Sequence, residues 1–137
     1  IGSPVTESGI DCGDRQFKIT GGQLVATGGS TSAPGTNSTV NSVILGAGTT
    51  QIIHIESASG AEALTFQAPA AYATLVFASA KLKSNTSYNV YTGGNVTSGI
   101  SFKGLFTGGT YTKGTKAATT FTTGSIVTKV GGVIATN

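Results

Sequence analysis

The chain holds one imidazole, and its neighbours decide what chemistry it can do. His54 stands in QIIHIE, residues 51–56, where strand alternation puts it with Ile52 and Glu56 on one face. Ile53 and Ile55 take the opposite face. Glu56 beside an imidazole can orient it, and Ser57 comes next as a hydroxyl. Nucleophilic catalysis needs base, orienter and nucleophile in mutual reach across space. Neighbours along one strand seldom meet that demand. The pattern therefore reads as a surface histidine paired with a carboxylate on the same face, and the chain is expected not to be an enzyme.

Carboxylates offer a second chemistry. Glu7, Asp11 and Asp14 carry the kind of oxygen ligands that Ca²⁺ takes, with Asp11 and Asp14 as the core pair. The same two residues, separated by Cys12-Gly13, also suit a turn in which Asp side chains cap backbone N–H groups. As a glycosidase pair they would have to stand about 5–10 Å apart. Nothing in the D-x-x-D spacing chooses among these roles. The single cysteine, Cys12, has no intrachain disulfide partner. It is expected to be a small buried side chain.

Sugar binding asks for flat aromatic faces and short polar side chains. Tyr88, Tyr91 and Tyr111, with Lys103 and Lys113, are the candidate carbohydrate-binding residues. Each tyrosine has a competing place in the core, because a buried ring contributes a large apolar area.

The composition sets limits on all of this. Across 137 residues only 9% are charged, there are 21 glycines, and Met and Trp are absent. The chain is long enough for one domain with a real core. Scarce helix formers and abundant Thr, Val and Ile favour strands over helices. No run of about 18 apolar residues exists, so no helical membrane span is expected. A chain that opens with Ile1 is expected to be cut from a longer precursor. Low charge and many hydroxyls suit an extracellular or cell-surface protein. The charges are also segregated. Glu7, Asp11, Asp14, Glu56 and Glu62 face only Arg15 and Lys18 in the first 62 residues, a net −3. The remainder holds six lysines and no acid, a net +6. That basic part suits an acidic polymer or the acidic part of another copy. The lysines are too scattered, and Arg too rare, for nucleic acid.

The elements that position these residues are short. Residues 8–29, SGIDCGDRQFKITGGQLVATGG, read as one rung of a right-handed parallel β-helix. In this reading Phe17 and Ile19 run into a Gly21-Gly22 corner. Leu24, Val25 and Ala26 run into a second corner at Gly28-Gly29. Residues 30–42 read as a polar loop, and residues 43–45 as a core strand. Residues 51–56 and 62–66 flank SASGA and read as an antiparallel hairpin. With residues 75–77 and 86–91 they form a small antiparallel sheet closing the end of the helix. The TGG triplets at 92–94 and 107–109 echo those at 20–22 and 27–29, without a strict period.

GIDCGD with FKITGGQLVATGG after it resembles the last rungs of bacterial secreted β-helix proteins with carbohydrate-binding domains, of the clostridial cellulose- and pectate-binding type. HIESASGAEALTFQAPAAYATLVFASAKLKSNTSYNVYTGG, GLFTGGTY and SIVTKVGG resemble the segments C-terminal to those rungs, so the likeness runs from about residue 8 to 132. It implies a secreted polysaccharide-binding module built on parallel rungs. Members of the group carry many earlier rungs, and their acidic calcium positions lie mainly there. Only Asp11 and Asp14 sit in matching sequence here. A chain with so few rungs leaves a sheet end open, which points to a second class. This is a structural subunit that assembles head to tail by strand complementation, with residues 1–10 as the inserting arm.

Overall fold

The computed structural model describes Ile10, Cys12 and residues 17–134, the side chains of residues 116–119 excepted. These residues are all β, with no helix. The strands are β1 (Gln23–Gly28), β2 (Ser42–Leu45), β3 (Ile52–Ser57), β4 (Glu62–Gln67), β5 (Thr74–Ser79) and β6 (Ser87–Thr92). Next come β7 (Asn95–Thr97), β8 (Ile100–Phe102), β9 (Leu105–Thr107), β10 (Thr110–Thr112), β11 (Thr115–Thr122) and β12 (Val127–Lys129). Four strands make a mixed sheet in the order β1-β5-β2-β12. Six make an antiparallel sheet in the order β11-β6-β3-β4-β9-β8, and β10 pairs with β7 as a separate ribbon.

The two larger sheets pack face to face. Val43, Leu45, Leu75 and Phe77 from the mixed sheet meet Ile53, Ile55, Leu64, Phe66, Tyr88, Val90 and Phe121 in one core. Alternation explains which residues are involved, since each strand sends every second side chain inward. β5, like its neighbour β2, is buried on both faces and organises the rest. Leu75 and Phe77 enter the core, while Val76 and Ala78 point the other way, and all four have zero exposure. Val76 packs with Ala26, Ile44, Ile10, Val127 and Ile134. Ala78 packs with Ile19, Val40, Phe17 and Leu24. A strand covered on both faces needs a continuous apolar run, and LVFA supplies it.

A thin outer layer covers that second face. Residues 31–39 lie alongside Ile10 and residues 17–19. Ser32 N donates to Ile10 O (2.8 Å), Gly35 N to Phe17 O (2.6 Å) and Thr39 N to Ile19 O (2.9 Å). Phe17 bridges Pro34 in parallel, and Thr31 bridges Ile134 in parallel.

The expected stack of parallel rungs is not what the strands form. β1 pairs with β5, and β5 with β2, both antiparallel. β1 and β2 do run in the same direction, but β5 lies between them and takes the backbone groups that rung stacking would use. Parallel strand pairing among the described residues is confined to β12 with β2. Gly28-Gly29 is not a left-handed corner either. Gly28 is the buried last residue of β1, opposite Thr74. The 51–66 hairpin forms as β3 and β4. The small antiparallel sheet keeps β3, β4 and β6 but loses residues 75–77 to the mixed sheet. It packs on a face and does not close an end. Residues 1–9, Asp11 and Asp14 lie outside the described residues.

Candidate functional site

His54 lies on the outward face of β3, opposite Thr65 of β4 and Tyr91 of β6. Glu56 shares that face, as alternation demands. Both are nonetheless buried, His54 at 4% and Glu56 at 7% exposure. The cause is a strap made from residues 93–114. The chain leaves β6 through Gly93 and Gly94, at φ 77° and 84°. It forms β7, then the β8–β9 hairpin, then β10 paired back on β7. β9 is held at the far side of the sheet, where Leu105 opposes Phe66 and Gln67 N donates to Gly104 O (2.8 Å). The strap therefore crosses over β3.

Tyr111 of β10 seats the strap. Its ring stacks on His54 with centroids 4.0 Å apart and planes 13° apart. Its hydroxyl donates to Gly93 O (2.8 Å) and accepts from Gly114 N (3.2 Å). Lys113 Nζ then meets Glu56 Oε1 at 2.7 Å and lies 5.1 Å from the Tyr91 ring centroid. Three of the expected sugar-binding residues, Tyr91, Tyr111 and Lys113, are thus brought together around His54.

Hydrogen bonding assigns the imidazole proton. Thr65 Oγ1 gives its proton to Glu62 Oε2 (2.9 Å), so it accepts from His54 Nδ1 (2.7 Å). The Nε2 lone pair then faces Glu56 Oε2 at 3.7 Å. Burial pushes the His54 pKa below its ordinary value, outweighing the two nearby carboxylates. Burial alone would raise Glu56. The Lys113 hydrogen bond and charge, joined by His54 and Tyr91, hold it below the usual carboxylate range. Lys113 is raised, mainly by its hydrogen bond to Glu56.

This cluster is a clasp between strap and sheet. Ser57 does not join it. Its hydroxyl is engaged by Ser59 (2.9 Å) and Ala61 N (3.0 Å) at the β3–β4 turn. The surface histidine expected from alternation is on the expected face, but Tyr111 covers it.

Tyr88 stands elsewhere. It is 2% exposed, stacks on Phe121 at 5.3 Å, accepts from Lys83 N (2.7 Å) and donates to Lys81 O (3.2 Å). A ring so placed has no free face for a sugar, which corrects its expected role. Lys103 also lies outside the clasp, at the tip of the β8–β9 hairpin with φ 50°. It lines a groove of about 670 Å³ with Thr50, Gln67, Pro69, Ser101 and Gly104. Beside it stands Phe102, 68% exposed, with Lys103 Nζ 5.9 Å from its ring centroid. Sequence reasoning passed over Phe102. The signal was SFKG, an aromatic next to a lysine at a glycine turn. Glu62 and Thr65 were also passed over as clasp members, although the hairpin register alone puts Thr65 opposite His54.

Among the described residues no three His, Cys, Asp or Glu gather in a way that could hold a metal ion. The expected calcium pair, Asp11 and Asp14, falls outside them. Cys12 is half-buried and free, and its N–H donates to Ser32 Oγ (2.8 Å). No helix of the described residues is long and apolar enough to cross a membrane. Comparison with protein families, curated proteins and solved structures finds no match to this chain.

Proposed function

We propose that the chain is an extracellular, non-enzymatic polysaccharide-binding module whose contact surface is the β8–β9 hairpin and its groove. The observation that carries this reading is the exposed Phe102 ring beside the Lys103 ammonium. An exposed ring can stack on the C–H face of a pyranose. The groove next to it offers the hydroxyls of Thr50 and Ser101, the Gln67 amide and the Lys103 charge. Six lysines and no acid after residue 62 favour an acidic polymer, such as one bearing uronates. Affinity electrophoresis on polygalacturonate and on a neutral β-glucan, with and without calcium, tests this. Phe102→Ala is expected to weaken retention on both polymers. Lys103→Ala is expected to weaken retention on the acidic one, in a salt-dependent way. If the double variant is retained like the wild type, the reading fails.

One observation favours a second reading, a subunit that self-assembles through strand edges. Among the described residues β8 pairs only with β9, and its Ile100 (72% exposed) and Phe102 share one apolar face. Such an edge recruits another strand. The parallel bridge of Phe17 to Pro34 also favours lateral contact between short extended segments in the earlier part of the chain. Sedimentation velocity and negative-stain microscopy discriminate. Polymers dispersed by Ile100→Lys support assembly, and a monomer at all concentrations removes it.

A further inference from the structure

The sandwich is open at one end, where the β2–β3 connection, the start of β5 and the chain after β12 come together. A pocket of about 310 Å³ lies there, within the size range of small-molecule sites. It shares no lining residue with the groove at Lys103. Its floor is apolar: Leu45, Ile53 and Val90 are buried core residues, and Val130 packs against them. One wall carries almost no side chain, being built from Gly46, Ala47, Gly48 and Gly131. Gly46 and Gly131 approach so closely that a Cβ on Gly131 would stand 3.1 Å from Gly46 N. The wall therefore cannot fill the pocket itself. The polar rim consists of Thr49, Gln51 and Thr92, so no lining residue is charged.

Tyr72 is the residue this pocket leaves unexplained. It is 5% exposed, and its ring lies over Gly48, to which it is bridged by two backbone hydrogen bonds of 3.0 Å. Its hydroxyl lies over Gly48 beside the pocket and is open to solvent there, since Thr128 Oγ1 is the sealed, unpaired side-chain polar atom among the described residues. Desolvation pushes the phenol up to about 12 with nothing to offset it, so it stays a neutral donor at any ordinary pH. A ligand acceptor seated in the pocket would take the place of solvent at this hydroxyl.

We propose that this pocket binds a small, flat, uncharged ring bearing a carbonyl or ether oxygen, which accepts the Tyr72 hydroxyl proton. The apolar floor takes the ring face. The side-chain-free wall admits a flat group, and the uncharged lining penalises an ion that would be desolvated without a counter-charge. This goes beyond polysaccharide binding at the hairpin and uses none of its residues.

Methyl benzoate, toluene and benzoate are suitable probes, alike in shape but differing in acceptor and charge. The readout is the ¹³C-methyl NMR spectrum, because Leu45, Ile53, Val90 and Val130 all report from the floor. Saturable shifts are expected with methyl benzoate, about tenfold weaker binding with toluene, and no saturation with benzoate. Tyr72→Phe, which keeps the ring over Gly48, is expected to bring methyl benzoate down to the toluene level. Absent saturation with methyl benzoate in the wild type, equal binding of benzoate, or unchanged binding in Tyr72→Phe would each overturn the proposal.

Discussion

At the residue scale the clasp makes a definite pH dependence. His54 is held below its unfolded value of 6.5, so the folded chain binds that proton more weakly than the unfolded chain. Stability is therefore full above pH 6.5. It declines as pH falls from 6.5 towards the lower folded value. Glu56 is held below 4.5, so its contribution is present above 4.5 and lost as pH falls through its folded value. Urea unfolding measured from pH 8 to pH 3 is expected to show both losses in turn. His54→Gln is expected to remove the decline that begins at 6.5 and to keep the one below 4.5. The chain has one histidine, so an imidazole NMR titration reads the first event without ambiguity. A His54 pKa at or above 6.5 in the folded protein would contradict the arrangement.

At the element scale the strap depends on one ring and a few glycine corners. Tyr111→Ala removes the stack on His54 and both hydroxyl bonds. We expect a loss of about 2 kcal/mol, less than for a fully buried aromatic because Tyr111 is half-buried. The His54 pKa is expected to rise towards its ordinary value, since the ring that desolvates it has gone. An unchanged His54 pKa in this variant would show that groups other than the Tyr111 ring keep His54 desolvated. Gly109 sits at φ 73°, and a Cβ there would meet Gly99 N at 2.6 Å. Gly109→Ala is thus expected to cost more than about 1 kcal/mol and to broaden the amide signals of β7 and β10 first. Phe102→Ala, on the exposed hairpin, is expected to change stability by less than about 0.5 kcal/mol. That separates its binding phenotype from any folding defect.

At the scale of the whole molecule β5 is the keystone, because it joins β1 to β2 and separates the core from the outer layer. Phe77→Ala opens a cavity in the main core and is expected to cost about 3–5 kcal/mol. Val76→Asp places an unpaired charge between Ala26 and Ile44 and is expected to prevent folding. Circular dichroism and size-exclusion chromatography check both. The pairings that define the fold join distant parts of the chain, β1 with β5 and β2 with β12. Refolding is accordingly expected in milliseconds to seconds, not microseconds, by stopped-flow tyrosine fluorescence.

What the sequence by itself determined is local. Abundant Thr, Val and Ile made the described residues all β. Alternation in QIIHIE put Ile53 and Ile55 on one face and His54 and Glu56 on the other. The Gly-containing SASGA turned β3 into β4. The TGG triplets at 92–94 and 107–109 marked two corners of the strap, where all four glycines have positive φ. These are consequences of single-residue backbone preference and of a period of two, both of which act within a few residues. Tertiary structure alone decided the rest. It placed β5 between β1 and β2 and so replaced parallel rungs with antiparallel pairs. It covered His54 with Tyr111 from residues far along the chain, sent Tyr88 to the core and left Phe102 in solvent. Periodicity says which residues share a face. What covers that face depends on free energy gained between segments distant in sequence, and no local pattern encodes that choice.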